Sequence, residues 1–345
     1  MGRGINSSDT PGCADPLGAQ ARGDGMKQKP HDTWAEDWLD FVLGLVPAGA
    51  TPPTTAFKPQ PWTVLKLIAL AWYAPMYLRI LRRFGYTDIA FVDLYSGAGL
   101  SQYSKEGVSL VLPGSSLIAA SPRADRTAKA GSLKFDRLIL VEGKEELLES
   151  ARALLGPRGF TVGVNLETIL GDPAECAERV CSLLRGRKGG HALLFVDPET
   201  LDFRFDELRG YLNRYPATDV LYLHLVSGEA RADGQESARH AASSTQPVLP
   251  VSRDAAATAL EKSLKDLGRR VVRIRIQAGS LAPGYYYDLV FATRLTGSGS
   301  QYADALQELA DRFTRIKGDT MEKLLRTRTP IREAGRLVRQ QRLDA

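Results

Sequence analysis

The sequence predicts an α/β protein: a sheet of five parallel strands finished by an antiparallel terminal hairpin, with helices on both faces. Three observations predict it. Short runs of β-forming apolar residues at 89–94, 135–141, 164–170, 191–196 and 219–226 alternate with helical patterns, which implies parallel pairing through right-handed crossovers. The first run, IAFVDL, is apolar without alternation and closes on the glycine loop YSGAGL, as expected of a strand covered on both faces. Two later strand patterns, 270–276 and 286–293, are separated only by 277–285, too short for a crossover helix, so they pair antiparallel.

Taken in order, residues 1–33 read as a disordered tail, rich in Gly, Ser, Asp and Ala without apolar periodicity, and Met26 offers an alternative start. Residues 34–61 hold a short amphipathic helix, with Trp38, Phe41, Val42 and Leu45 at helical spacing, and a proline-rich linker. The main domain spans 62–298. It opens with a long helix over 62–83 that ends at Gly85, a glycine in C-cap position. After the central strand, 101–111 reads as a poorly patterned loop, and PGSSLIAA at 113–120 as a helix start. Helices are expected over 144–155, 174–184 and 254–267, and a polar excursion over 228–250. Residues 299–345 form an arginine-rich helical extension. Five parallel strands closed by a hairpin resemble the layout of the Rossmann-like methyltransferases; a dinucleotide dehydrogenase more often continues with a sixth parallel strand.

Composition bounds the class. With 345 residues, 43% of them hydrophobic, the chain can bury a large core. Cys13, Cys176 and Cys181 show neither CxxC spacing nor a disulfide framework, which favours a reducing cytoplasm and argues against structural zinc. The most apolar segment, 64–81, is interrupted by Lys66 and Arg79, and no secretory pattern opens the chain, so no membrane association is expected. A net charge of +5 permits a polyanionic partner without requiring one.

The acidic strand ends form a constellation. Parallel strands place Asp93 with Ser96, Gly97 and Gly99, then Glu142, Asp172 and Asp197, on one edge of the sheet, where such folds bind ligands. Carboxylates repel phosphate and accept hydrogen bonds from amines and hydroxyls, which favours a nucleoside without phosphates. Glu142 is expected at ribose hydroxyls, Asp172 at the exocyclic amine of adenine, the glycine loop at an amino-acid portion and Asp93 at its ammonium. That set fits S-adenosyl-L-methionine, an already activated donor for which the protein supplies orientation and electrostatics. The weights against it are plain: GAGLSQ lacks the third glycine of the dinucleotide fingerprint, Asp172-Pro173 is a common helix cap, and Glu142-Gly143 a common turn. Asp197 to Thr200, DPET, matches at Asp197 and Pro198 the four-residue DPPY-type motif of amino-methyltransferases acting on nucleic acids; the stacking aromatic is missing, although Phe203 is close. Asp197 is the candidate acceptor of a hydrogen bond or proton from a nucleophilic amine.

The segments WTVLKLIALAWYAPMYLRIL, AFVDLYSGAG, PGSSLIAA, LILVEG, LLFVDPET and YYYDLVFAT are similar to the three-Cys-motif partner protein (TcmP) family over about 62–293. That family carries a lysine-containing helix, a strand ending in D-x-[FY]-[AS]-G-x-G, a GSPL-like segment, an acidic strand end, a DP-containing strand end and a terminal F-A-[ST] strand. The resemblance implies a methyltransferase fold with no assigned substrate and a companion protein with clustered cysteines, proposed to be radical-SAM-like. Here GSSL replaces GSPL, and DPET replaces the usual DP-[FY]-G.

Other residues carry less. Lys66 reaches over the pocket or snorkels to solvent, with snorkelling slightly favoured. His224 reads as a satisfied core histidine, and the run Tyr285, Tyr286, Tyr287 as a hairpin rim able to stack on a base. Arg332, Arg336 and Arg339, with Arg326, Arg328 and Arg342 nearby, form a stripe suited to phosphates or simply to solvent. Three functions stay open: a methyltransferase dependent on S-adenosyl-L-methionine, whose acceptor the sequence does not identify and for which an amine of a nucleic acid is one candidate; a non-catalytic nucleotide-binding adaptor; and a nucleic-acid-binding protein using its basic C-terminal helix.

Overall fold

The computed structural model describes residues 31–123, 133–156, 165–185, 189–198, 205–224, 253–283, 285–294 and 300–328. The tail before 31, Glu199 to Phe203, the excursion over 228–250 and the arginines from Arg332 onward lie outside them. The first half of the chain runs α1 (His31–Gly44), α2 (Thr63–Arg83), β1 (Asp88–Asp93), β2 (Leu100–Lys105), β3 (Val108–Pro113), α3 (Ser115–Ala120), β4 (Arg137–Glu142) and α4 (Glu145–Leu155). The second half runs β5 (Asn165–Leu170), α5 (Ala177–Leu184), β6 (Gly190–Val196), α6 (Phe205–Arg214), β7 (Thr218–His224), α7 (Arg253–Asp266), β8 (Arg269–Gln277), β9 (Tyr286–Arg294), α8 (Ser300–Phe313) and a last helix, α9, over 318–328.

Among the described residues, seven strands form one sheet in the order β5-β4-β1-β6-β7-β9-β8. The first five are mutually parallel, and β9 pairs antiparallel with both β7 and β8. The strand expected at the centre is there: β1 lies between β4 and β6, and every residue of it after Asp88 is buried. Because β4 lies on one side of β1 and β6 on the other, the strand order reverses at β1, and the crevice beyond its carboxyl end is the ligand position of such sheets.

Two apolar layers cover the sheet. One joins α1, α2, α3, α4, α8 and α9 to Ile89, Phe91, Leu138, Leu140 and Phe195; the other joins α5, α6 and α7 to Ala90, Val92, Ile139, Leu194 and Val196. These two sets alternate along each strand, as period-2 geometry requires. Helix α2 passes the length and hydropathy test for a membrane span, yet 72% of its most apolar window is buried against this layer. Trp34, Leu39 and Val42 of α1 and Leu306, Leu309 and Leu325 of the C-terminal helices lie in the same layer. At the opposite edge from the crevice, Arg137 grips Asp88 with two hydrogen bonds of 2.9 and 2.6 Å, tying the starts of β4 and β1 together.

Two local differences from expectation have physical reasons. Residues 101–111 form an antiparallel pair, β2 with β3, rather than a loop. Leu100 and Tyr103 on one strand and Val108, Leu110 and Leu112 on the other are buried, and Glu106 (φ 49°) and Gly107 (φ 83°) make the two-residue turn. The alternation is strong only in the second strand, and Glu-Gly is a weaker turn signal than Asn-Gly. The crossover from β6 to β7 carries α6, a helix with Leu208, Tyr211 and Leu212 buried that the sequence reading leaves unassigned.

Candidate functional site

A cavity of about 860 Å³ opens at the carboxyl edge of the parallel strands. Its inner wall is the turn after β1, Tyr95 to Gly99, with Gly114 and Ser115 beside it. Glu142, Asp172 and Asp197, the ends of three further strands, line the same cavity, together with Pro198. The outer wall comes from the start of α2 and the start of β9, with the residue just ahead of each: Trp62, Lys66, Tyr285 and Tyr287, with Phe57 from the segment before them.

The turn is held by its own polar groups. Gly97 (φ 57°) donates its N–H to Glu142 Oε2 at 2.9 Å, and a Cβ there would meet nothing within 4 Å, so this glycine faces open space. Lys144 donates its N–H to Glu142 Oε1 at 3.0 Å. Both oxygens of Glu142 are thus oriented by backbone while each keeps lone pairs for a ligand. Ser96 is 3% exposed; its N–H bonds to Val141 O at 3.1 Å, and its Oγ has no hydrogen-bond partner among the described residues. Ser96 lines the cavity through the turn, while this oxygen itself is sealed from solvent.

Gly99 (φ 73°) has a different reason for lacking a side chain. A Cβ there would stand 2.9 Å from Leu154 Cδ2, so its bare side packs on α4 rather than admitting a ligand. Gly114 closes the base of the β2–β3 hairpin: its N–H bonds to Gly99 O at 2.6 Å, and a Cβ on it would lie 3.0 Å from three Gly99 backbone atoms.

Asp93 departs from expectation. It does not line the cavity and is fully buried behind the turn, so it does not present itself to a ligand ammonium. Ser115 donates its hydroxyl to Asp93 Oδ2 at 2.6 Å, and Tyr95 its N–H to Oδ1 at 3.3 Å. Burial pushes the carboxyl up to about 7; the Ser115 hydrogen bond opposes this, while the charges of Asp197 and then Glu142 add to it. The reason is geometric. Asp93 is the last residue of β1 and its side chain turns toward the amino end of α3, an encounter invisible in the sequence.

Asp172 lines the cavity and also caps. Its Oδ1 accepts the Ala174 N–H at 2.7 Å and its carbonyl accepts those of Glu175 and Cys176, which starts the turn into α5.

Lys66 corrects the snorkelling expectation. Its ammonium pairs with Asp197 Oδ2 inside the cavity, the two side chains being 13% and 15% exposed. A cation at the start of the apolar run 64–81 was the visible signal; its partner lies 131 residues away and was not visible. Tyr287 donates its hydroxyl to Trp62 O at 2.8 Å, tying β9 to the start of α2, and the Trp62 and Tyr285 rings meet at 5.3 Å and 45°. His224 is buried in β7, away from the cavity, beside Tyr222 at 6.0 Å.

Size, donors and acceptors suit a nucleoside joined to an amino acid. The volume lies in the upper part of the range usual for small-molecule sites. Glu142 offers paired acceptors for a diol, Asp172 an acceptor for an amine, and Ser96 with the open side of Gly97 a cradle for a polar chain. Of the three carboxylates on the wall, Asp197 is paired with Lys66, which leaves Glu142 and Asp172 as the acceptors open to a ligand.

The strand order, five parallel strands followed by an antiparallel pair whose second member is inserted, resembles the layout of Rossmann-like methyltransferases. No family model and no curated protein matches the chain. Among solved structures it is similar to a Legionella pneumophila protein of family DUF519, at 12% identity over 71% of this chain and 92% of that one, with a TM-score of 0.44. It is also similar to an O-methyltransferase from Bacillus cereus in complex with SAH, at 13% identity over 78% and 94%, TM-score 0.36. A third is the methyltransferase domain of bacterial CtHen1-CN, at 12% identity over 64% and 98%, TM-score 0.34. These likenesses are at low identity, and the chemistry of the site follows from its own geometry.

Proposed function

We propose that this chain is a methyltransferase that uses S-adenosyl-L-methionine and transfers its methyl group to an amine of a nucleic acid. The observation that carries the reading is the convergence of Glu142, Asp172 and Asp197 with the Ser96–Gly97 turn on one cavity. Glu142 holds the ribose diol, Asp172 the adenine amine, and Ser96 and Gly97 the methionine end. When bound, S-adenosyl-L-methionine supplies an electrophilic methyl on a sulfonium, so no protein nucleophile is needed. Asp197 takes a hydrogen bond from the acceptor nitrogen and its departing proton, and Lys66 holds that carboxylate in place. Pro198 stiffens the backbone that carries it. The resemblance to the TcmP family adds a radical-SAM-like companion protein as the partner.

Calorimetric titration of the purified chain with S-adenosyl-L-methionine tests this. Wild-type protein binds. Glu142→Gln binds about 10- to 100-fold more weakly, the loss of hydrogen bonds to a charged acceptor being worth about 1.5–3 kcal/mol. Absence of heat at millimolar ligand rejects the proposal. Binding without label transfer from methyl-labelled cofactor to tRNA, DNA or protein supports the adaptor reading instead.

A further inference from the structure

The outer half of the cavity is built differently from the inner half. Trp62 and Tyr285 form an aromatic wall with ring centroids 5.3 Å apart, and Tyr287 fixes it through the Trp62 carbonyl. Phe57 stands at the mouth, 46% exposed, with the Lys66 ammonium 5.8 Å from its ring centre. Beneath them lies the Lys66–Asp197 pair, an ammonium donor beside a carboxylate acceptor. None of these groups belongs to the turn or strand ends assigned to the cofactor, except that Asp197 closes both halves.

We infer that this outer subsite receives one unpaired amino-bearing nucleobase, adenine or cytosine, stacked against Trp62 and Tyr285 with its amine on Asp197. The inference rests on the methyltransferase reading above and names its acceptor. Aromatic side chains hold bases by their faces regardless of sequence, so the wall selects a flat heterocycle and the ion pair selects its edge. Adenine and cytosine each carry an amine next to an unprotonated ring nitrogen. The amine donates to Asp197, and the ring nitrogen accepts from Lys66. Guanine sets a ring N–H beside its amine on the Watson–Crick edge, donor to donor with the Lys66 ammonium, and its unprotonated N3 flanks the amine only on the sugar edge, where the ribose crowds the approach. Uracil has no amine, and the lone pair of its ring N–H is drawn into the two flanking carbonyls until that nitrogen loses its proton. An amine has two hydrogens. Transfer forms the N–C bond from the nitrogen lone pair, breaks the methyl–sulfur bond with its electron pair going to sulfur, and sheds one amine proton to the Asp197 carboxylate. The pair is mostly buried, so a base inside a duplex cannot reach it and must be unpaired first. The stacking role left open by Glu199 and Thr200 in DPET is therefore met from α2 and β9.

The test presents single-stranded poly(A), poly(C), poly(U) and poly(G), free adenosine and free cytidine, with methyl-labelled S-adenosyl-L-methionine, and measures anisotropy of dye-labelled oligo(A) and oligo(C) in parallel. Label is expected on an amine of adenine or cytosine; the free nucleosides decide whether the base is read alone or as part of a strand. Trp62→Ala and Tyr285→Ala raise the acceptor KM or Kd about 10- to 100-fold. Trp62→Phe, which keeps a ring, recovers most of that loss, and cofactor affinity by calorimetry stays within about twofold in all three. Label on uracil, guanine or protein, no labelled base, or an unchanged acceptor KM in the alanine variants overturns the inference while cofactor binding leaves the methyltransferase reading standing. If the wild-type chain binds no cofactor, both fall.

Discussion

Replacing Asp93 by Asn tests how the buried centre of the site is charged. In the folded chain burial pushes this carboxyl up to about 7, against 3.8 for the free side chain. Below pH 3.8 both states hold the proton and folding carries no penalty from this group. Between 3.8 and 7 the unfolded chain loses the proton while the folded chain keeps it, so stability falls by about 1.4 kcal/mol per pH unit and is lost progressively as pH rises through 7. The full loss is about 4 kcal/mol, of which about 3 kcal/mol falls between pH 5 and pH 8. The asparagine amide keeps an oxygen for the Ser115 hydroxyl and the Tyr95 N–H and has nearly the volume of the carboxyl, so Asp93→Asn removes the titration with little change of packing. Urea unfolding of both proteins, followed by circular dichroism at pH 5, 6, 7 and 8, reads the difference directly. The variant gains on wild type by about 3 kcal/mol across that range. Ser115→Ala removes the hydrogen bond that holds the value down, so its break point moves above that of wild type. Parallel wild-type and Asp93→Asn curves would refute the reasoning, because an Asp93 ionised throughout gives no difference in slope.

The remaining predictions concern the turn and the core. Gly97→Ala meets no atom within 4 Å but must hold φ near 57°, so it loses about 1–2 kcal/mol of stability, while its methyl enters the cavity and weakens cofactor binding at least tenfold. Calorimetry showing wild-type affinity in that variant would remove Gly97 from the site. Gly114→Ala brings a methyl to 3.0 Å from Gly99 backbone and must open the hairpin base, so its melting temperature falls further than that of Gly97→Ala. His191 hydrogen-bonds the Tyr77 hydroxyl through Nδ1 at 2.7 Å, and burial lowers it from 6.5 to about 3. Stability from this neutral ring is present above pH 6.5 and lost as pH falls below it, at about 1.4 kcal/mol per unit. Wild type therefore loses on His191→Gln between pH 6.5 and pH 5, a trend opposite in sign to that of Asp93; equal slopes in urea titrations would contradict it.

Sequence and structure divide the site along a physical line. Ser96, Gly97, Glu142, Asp172 and Asp197 could be placed on one rim before any coordinates, because parallel strands joined by right-handed crossovers put every carboxyl end on the same edge. Strand pattern and strand end are local properties, readable within a dozen residues. The β2–β3 hairpin escaped because its first strand alternates weakly, and α6 because it is ten residues long and buries only Leu208, Tyr211 and Leu212.

Which groups meet across the cavity was decided by packing. Lys66 reaches Asp197 instead of solvent because α2 lies over the carboxyl edge; Trp62 meets Tyr285 because β9 is inserted beside β7 and brings its amino end to that edge. Asp93 is withdrawn from the cavity because α3 offers it Ser115. Each of these pairs joins separate secondary-structure elements, and their meeting depends on how helices lie across the sheet. The sequence alone determined the sheet, its direction and the acidic rim; tertiary structure chose which charges are buried, which are paired and which rings face the opening, since contacts between distant elements leave no periodic trace in the chain.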